Sequence, residues 1–217
     1  MPAGRPRSLD IEQAMPVIVR HFWRAGYAGM TLDDLAAELG VSKPTLYRSL
    51  GEKDALFVAA LEHYHRSYLR PGEEHVETAP TFTDALRGYL SIGLERMVDD
   101  AFPAGCFLTD TITCGAFTSG PVATTLTRLQ QRSAMVLHRR AEQAIADGEL
   151  AATATAPVVV RYAMGQFAVL SMVSRSAPDR SDLDELVDVM VGGLPWAATD
   201  GADRTGGGVS RRGEGRG

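Results

Sequence analysis

Apolar positions recur at intervals of three and four along nearly the whole chain, and no stretch keeps the period of two that marks a half-buried strand. Ile11, Ala14, Met15, Ile18, Val19 and Phe22 form the inward stripe of a first helix over 9–25, with Ser8 as N-cap and Gly26 as stop. Pro16 lies within that stripe. It deletes one backbone hydrogen bond and crowds the preceding turn at a cost of about 3 kcal/mol, so a kink is expected there. Thr31 and Asp34 form a capping box that opens a short helix, 32–39, ended by Gly40. Ser42 caps the next, 43–49, with Pro44 in a first turn whose N–H groups have no helical partner. A longer helix over 53–69 is expected to stop at Pro71-Gly72, leaving 71–80 as a linker carrying Glu73, Glu74 and Glu77. Thr81 and Asp84 open a helix to about 99, and further helical stretches follow at 106–115, 121–147, 157–174 and 182–191. The reading is all-α, with about nine helices: three short ones, then a body of six.

This pattern divides the chain into a basic arm (1–8), a head (9–69) made of the three short helices and the helix 53–69 that leads out of them, a body (81–197) and a tail (198–217). The tail holds seven glycines and no large apolar residue beyond Val209, so disorder is expected there.

The most informative stretch is 31–50. Leu35, Ala36 and Leu39 face inward on its first helix, and small Ala36 lets the second helix cross closely. Gly40 can take the positive φ of a tight turn, and Val41 and Leu46 bury that turn. The outward residues of the second helix are Lys43, Pro44, Thr45, Tyr47, Arg48 and Ser49. Polar, aromatic and basic side chains on one short helix suit a DNA major groove and its phosphates. A helical hairpin that merely packs is the alternative, and the full pattern disfavours it.

Gly26-Tyr27, Met30-Thr31, Leu35-Ala36, Leu39-Gly40-Val41-Ser42, Thr45-Leu46-Tyr47 and Lys53-Asp54-Ala55-Leu56 together resemble the N-terminal domain of the tetracycline-repressor (TetR) family, over roughly residues 8–68. Ser49-Leu50 departs from that family's usual His/Tyr-Phe. The resemblance implies a homodimeric one-component regulator whose head binds double-stranded DNA and whose divergent body binds a small molecule and dimerises. It implies a DNA-contact set of Thr31, Ser42 and the outward residues of 43–49, with Lys53 on the phosphate backbone. It also implies that helices 157–174 and 182–193 pair with their mates through Val158, Tyr162, Gly165, Val169, Met172, Leu183, Leu186, Val187 and Met190; burial within one protomer is the alternative. Arg5 and Arg7 in the arm either reach a minor groove or phosphates or stay solvated.

Charge refines the picture. The net charge is −5, so DNA contact must come from a local patch. Over 1–50 there are six basic and five acidic side chains, a net of +1. With 45% apolar and 23% charged residues, disorder of the whole chain is excluded. No run of about 18 uncharged apolar residues predicts a membrane span, and no apolar segment follows the basic start as in an export signal. A cytoplasmic protein is expected.

Candidate effector-lining residues in the body are Leu90, Leu94, Phe107, Thr111, Cys114, Phe117 and Phe167, joined by Tyr89, Leu126, Leu129 and Leu170. Apolar walls with a few hydroxyls suit a small hydrophobic or aromatic ligand. Cys106 and Cys114 are too few for a disulfide framework, and on one helix they stand about 12 Å apart on roughly one face. Sensing of oxidants or electrophiles by one thiolate is therefore an alternative use of the body. His63 and His65 point to different sides of a helix and make no ligand pair for a metal. With no nucleophile elbow and no phosphate loop either, no enzyme, cofactor or metal is expected. The function expected is a repressor released from its operator by a small hydrophobic ligand, through a tilt of helix 53–69. A helical small-molecule-binding protein is the runner-up.

Overall fold

A computed structural model describes residues 9–115, 117 and 120–197. Its helices are α1 (Ile11–Gly29), α2 (Leu32–Leu39), α3 (Lys43–Leu50), α4 (Lys53–Tyr64), α5 (Arg70–Thr78), α6 (Phe82–Met97), α7 (Phe107–Thr113), α8 (Gly120–Ala146), α9 (Ala156–Val173) and α10 (Arg180–Gly192). A π-helical turn, His65–Leu69, joins α4 to α5, so that these two form one rod and the described residues make nine rods in all. Among the described residues there is no strand, only one isolated antiparallel bridge, Leu150–Trp196. The arm with Arg5 and Arg7, the expected cap Ser8 and the tail 198–217 lie outside the described residues.

Three expectations need correction. Asp10 caps α1, its carboxylate accepting from the Gln13 N–H at 3.3 Å. The helix runs through Pro16, and the break comes at Gly26 (φ 68, ψ 166). Pro16 sits in the second turn, where it forfeits a single hydrogen bond, and the turns on either side hold the helix together.

Pro71-Gly72 does not end the fourth helix. The π-helical turn shifts the hydrogen-bond register, so Pro71 falls in the first turn of α5, where a missing N–H is tolerated. Gly72 lies against Tyr89 of α6, with room for no more than ordinary contact. The expected linker is therefore mostly helix, with Gly72, Glu73 and Val76 on its buried face and Glu73 only 3% exposed.

α10 packs one face inward, with Leu183, Val187 and Met190 buried within the protomer and the Tyr162 hydroxyl on α9 donating to the Met190 carbonyl at 2.7 Å, while Val189 on its other face is 65% exposed. On α9, Val158 (60% exposed), Val169 and Met172 (64%) face outward, as does Met135 on α8. α9 with the turn after it is long and apolar enough to cross a membrane by length and composition, but here it packs along α6 and α8.

One continuous core joins head to body. Ile18, Val19 and Phe22 of α1 meet Leu35, Leu46, Leu56 and Phe57; the body continues it through Leu86, Leu90 and Leu94 of α6, Leu126 and Leu129 of α8, and Ala163 and Leu170 of α9. At roughly 1.5–3 kcal/mol per buried large side chain, this burial dominates the stabilisation of an otherwise irregular stack of helices.

Candidate nucleic-acid interface and ligand cavity

The α2–α3 unit is locked by its caps. Thr31 accepts from the Asp34 N–H at 3.1 Å and returns its hydroxyl proton to the Asp34 carboxylate. Gly40 takes the left-handed conformation (φ 65, ψ 30); its N–H donates to Ala37 O and the Val41 N–H to Ala36 O at 3.0 Å. This paired closure satisfies carbonyls that the end of α2 would otherwise leave unbonded and sets the angle at which α3 leaves. Ser42 accepts from the Thr45 N–H at 3.3 Å, and its hydroxyl also meets the Thr45 hydroxyl at 2.8 Å. Leu46 is buried beneath α3.

The opposite side of α3 is open. Lys43, Pro44, Tyr47 and Arg48 are exposed, and Thr45 and Ser49 half-buried. Tyr47 is 45% exposed, with no hydrogen-bond partner among the described residues. Arg48 folds back on its own helix, donating to Pro44 O and the Thr45 hydroxyl. Lys43 donates to Asp33 of α2 at 2.9 Å, and that hydrogen bond raises its pKa. Thr31 and Ser42 spend their side chains on capping.

Lys53 is half-buried rather than extended to solvent. Its ammonium donates to Met30 O at 2.7 Å and sits 4.7 Å from the centre of the Tyr27 ring. The Tyr27 hydroxyl in turn donates to Asp54, a bond that pushes the phenol pKa up to about 12. Lys53 thus ties the end of α1 to the start of α4, a role that its position in the motif did not reveal.

The expected effector-lining residues separate into three groups. Phe167 and Tyr89 line a cavity of about 340 Å³ in the body, enclosed by Tyr68, Leu69, Ile92, Gly93, Cys106, Leu108, Ile112 and Met164, with Thr109, Thr113, Gln130, Ser133 and Arg161 supplying polar groups. Their rings stack obliquely with centroids 5.1 Å apart, and burial raises the Tyr89 phenol pKa above its ordinary range. Phe107, Thr111, Cys114 and Phe117 instead line a second cleft, about 310 Å³, whose other wall is Phe22, Trp23, Tyr27 and Phe57 of the head. Leu90 and Leu94 line neither; they are wholly buried in the core. Helical periodicity marks which positions turn away from water, but not which neighbour they meet.

α7 explains the split. Leu108, Thr109, Ile112 and Thr113 turn one side of this short helix to the body cavity, while Phe107, Asp110, Thr111 and Cys114 turn the other to the head. Cys106, buried at its start, and Cys114, exposed at its end, therefore open to different spaces rather than one face. Asp110 is a junction that helical periodicity does not single out: it accepts from the Trp23 indole N–H of α1 at 2.8 Å and pairs with Arg175 beyond α9.

Behind the cavity, the buried Glu73 carboxylate accepts from His65 Nε2 (2.8 Å), the Ser133 hydroxyl (2.6 Å) and Arg132 Nε (3.1 Å). Burial alone would raise its pKa, but these donors outweigh it and hold the carboxyl below its ordinary value.

A helix-turn-helix head on a rod that runs unbroken into a hollow helical body is the build of a one-component transcriptional regulator. Residues 17–60 match the model of bacterial regulatory proteins of the tetR family, and residues 83–190 that of the tetracyclin repressor-like C-terminal domain, together well over half of the chain. The chain belongs to the TetR family.

Among its relatives, the HTH-type transcriptional repressor ComR of Escherichia coli (strain K12) is 32% identical over 130 residues, covering 57% of this chain and 59% of that one. The HTH-type regulator YezE of Bacillus subtilis (strain 168), itself uncharacterised, is 26% identical over 105 residues, covering 48% and 54%. The chain thus matches a little over half the length of these curated relatives. The solved structure of CifR, a TetR family regulator complexed with 26-bp operator DNA, superposes with a TM-score of 0.76 at 27% identity, over 88% of this chain and 100% of that one. FadR of Bacillus subtilis, solved with stearoyl-CoA, shares the fold (TM-score 0.71, 86% of this chain and 98% of that one) at 14% identity.

Proposed function

We propose that the chain is a homodimeric transcriptional repressor that holds operator DNA through α3 and is released by a small, mainly apolar effector in the body cavity. The observation that carries this reading is α3 itself: a capped helix with a buried floor at Leu46 and an open, unpartnered Tyr47 between Lys43 and Arg48. The likeness to CifR in its operator complex supports it. In this reading residues 9–69 are the DNA-binding domain, with the motif at 31–50 and the arm 1–8 alongside, and 81–197 form the ligand-binding and dimerisation domain. Lys43, Thr45, Tyr47, Arg48 and Ser49 meet bases and phosphates, and Thr31, Ser42 and Pro44 fix the helix that presents them. Two heads on one DNA face need a twofold dimer. The exposed apolar residues of α9 are the face for it. The protein carries out no catalysis and works in the cytoplasm.

Release follows from α7. An effector can shift DNA binding only if it favours the arrangement that does not fit DNA. A ligand pressing on Leu108 and Ile112 moves the helix whose other side holds Trp23 through Asp110 and packs Phe107 against Phe57, with centroids 5.7 Å apart. The lever in this reading is α7 acting on α1 and α4, and through α4 on the tilt of helix 53–69. Selection from a random duplex library tests the DNA reading: enrichment of a twofold-symmetric site with half-sites about one or two helical turns apart is expected, and recovery of unenriched sequence would refute it.

A further inference from the structure

The effector reading leaves the ligand's chemistry open, and one side chain narrows it. The cavity walls are almost wholly apolar or neutral; Arg161 is the one charged side chain that lines them. It is exposed, as are Thr113 and Gly165, so these three mark the mouth between α7 and α9, where Arg161 also borders the outer groove of α8 and α9 beside Met135 and His138. Of the ten arginines between residues 70 and 197, nine reach an acceptor: Arg140 finds Gln143 and Ala79 O, and the other eight find carboxylates. Arg161 alone has none among the described residues, and no lysine lies in the body.

We infer that Arg161 receives the anionic end of the effector, and that the effector is a small apolar monocarboxylate whose body lies between Tyr89, Phe167 and Ile112. This inference rests on the effector reading above. The chemistry is direct. A guanidinium offers a planar fork of donors that matches a carboxylate, and the bond strengthens as the apolar walls displace water. The rest of the cavity offers hydroxyls and an amide, which orient a ligand without selecting its charge. A volume of about 340 Å³ lies at the small end of ligand pockets, which excludes a long chain with a bulky head held entirely inside.

The test uses the full-length protein and matched pairs: octanoate against methyl octanoate, and 4-phenylbutyrate against its methyl ester, by calorimetric titration at neutral pH. The acid of at least one pair is expected to bind about tenfold or more tighter than its ester. Arg161→Met should abolish that preference, and Arg161→Lys should keep part of it. Circular dichroism and sedimentation of each variant establish that it is folded and in the same oligomeric state. Equal binding of acid and ester to the unaltered protein, or tighter binding of the ester, overturns the inference while leaving an apolar effector in place. Failure of all four probes to bind counts against the cavity as an effector site as well. A variant that weakens the dimer but keeps the acid preference would assign Arg161 to a contact between copies instead.

Discussion

His65 Nε2 lies 2.8 Å from Glu73 Oε1 across the π-helical turn, both side chains buried. The pair closes the one place where the rod from head to body departs from α-helical register, and Ser133 and Arg132 tie the same carboxylate to α8. A buried carboxylate with three donors is costly to break, because the buried His65 and Ser133 donors left behind stay desolvated. Glu73→Ala is expected to destabilise the protein by about 3 kcal/mol in urea unfolding, and Glu73→Gln by less, since it keeps the volume and part of the hydrogen bonding.

The same group sets an acid limit. The folded carboxyl titrates below its ordinary value of 4.5, so its contribution is fully present above that pH and is lost as pH falls through the lower, folded value. Unfolding free energy measured between pH 7 and pH 3 should drop steeply below about 4.5, and Glu73→Gln should flatten that drop. An unchanged pH profile in the variant would remove Glu73 from the balance.

Lys43 and Lys53 belong to one motif but have different tasks. Lys43 is exposed and, among the described residues, held by Asp33, a partner that a phosphate can replace. Lys43→Ala should leave thermal stability nearly unchanged and reduce the salt dependence of DNA binding by roughly one unit of slope. Lys53→Ala leaves the Met30 carbonyl and the Tyr27 face without their cation and should cost about 1–2 kcal/mol in head stability. Comparing melting temperatures of the two variants separates these roles.

Asp110 joins α7 to the head. Asp110→Ala strands the Trp23 indole N–H and Arg175, at about 1–2 kcal/mol. It should also blunt effector-induced release of DNA more than it weakens DNA binding alone. Asp110→Asn keeps an acceptor for Trp23 and should restore much of the response in a fluorescence-anisotropy assay. Thr111 is buried at the head–body junction, its hydroxyl bonded to Phe107 O, so Thr111→Trp should disturb the head itself.

Gly93 makes room for the Phe167 ring, which passes 2.3 Å from where a β-carbon would stand. Gly93→Ala must push that ring into the cavity. A loss of about 1–3 kcal/mol in stability and a weaker affinity for apolar probes are expected together; calorimetry on the variant checks both.

Most elements were legible because their ends carry short-range chemistry. Thr31, Ser42 and Thr81 cap α2, α3 and α6 as their sequence context predicts, and Gly40 closes α2. Where the reading failed, the cause lay in tertiary contact. Pro71-Gly72 signals a stop locally, yet the π-helical turn before it and the burial of Glu73 against α8 carry the helix on. Phe107 and Phe167 carry the same apolar signal but lie on opposite sides of α7, and Asp110 resembles any helical acid until Trp23 and Arg175 converge on it.

In the proposed function, α3 presents Tyr47 to DNA. Tyr47 is exposed and has no hydrogen-bond partner among the described residues, so Tyr47→Ala should leave the unfolding free energy in urea unchanged within about 0.5 kcal/mol. The direct measurement is fluorescence anisotropy of a labelled duplex carrying the selected site, titrated with the unaltered protein and with Tyr47→Ala at one fixed salt concentration. The variant is expected to bind at least about tenfold more weakly and to discriminate less between that site and unrelated DNA. Equal affinity and equal discrimination by a folded variant would remove Tyr47 and the exposed side of α3 from the DNA interface.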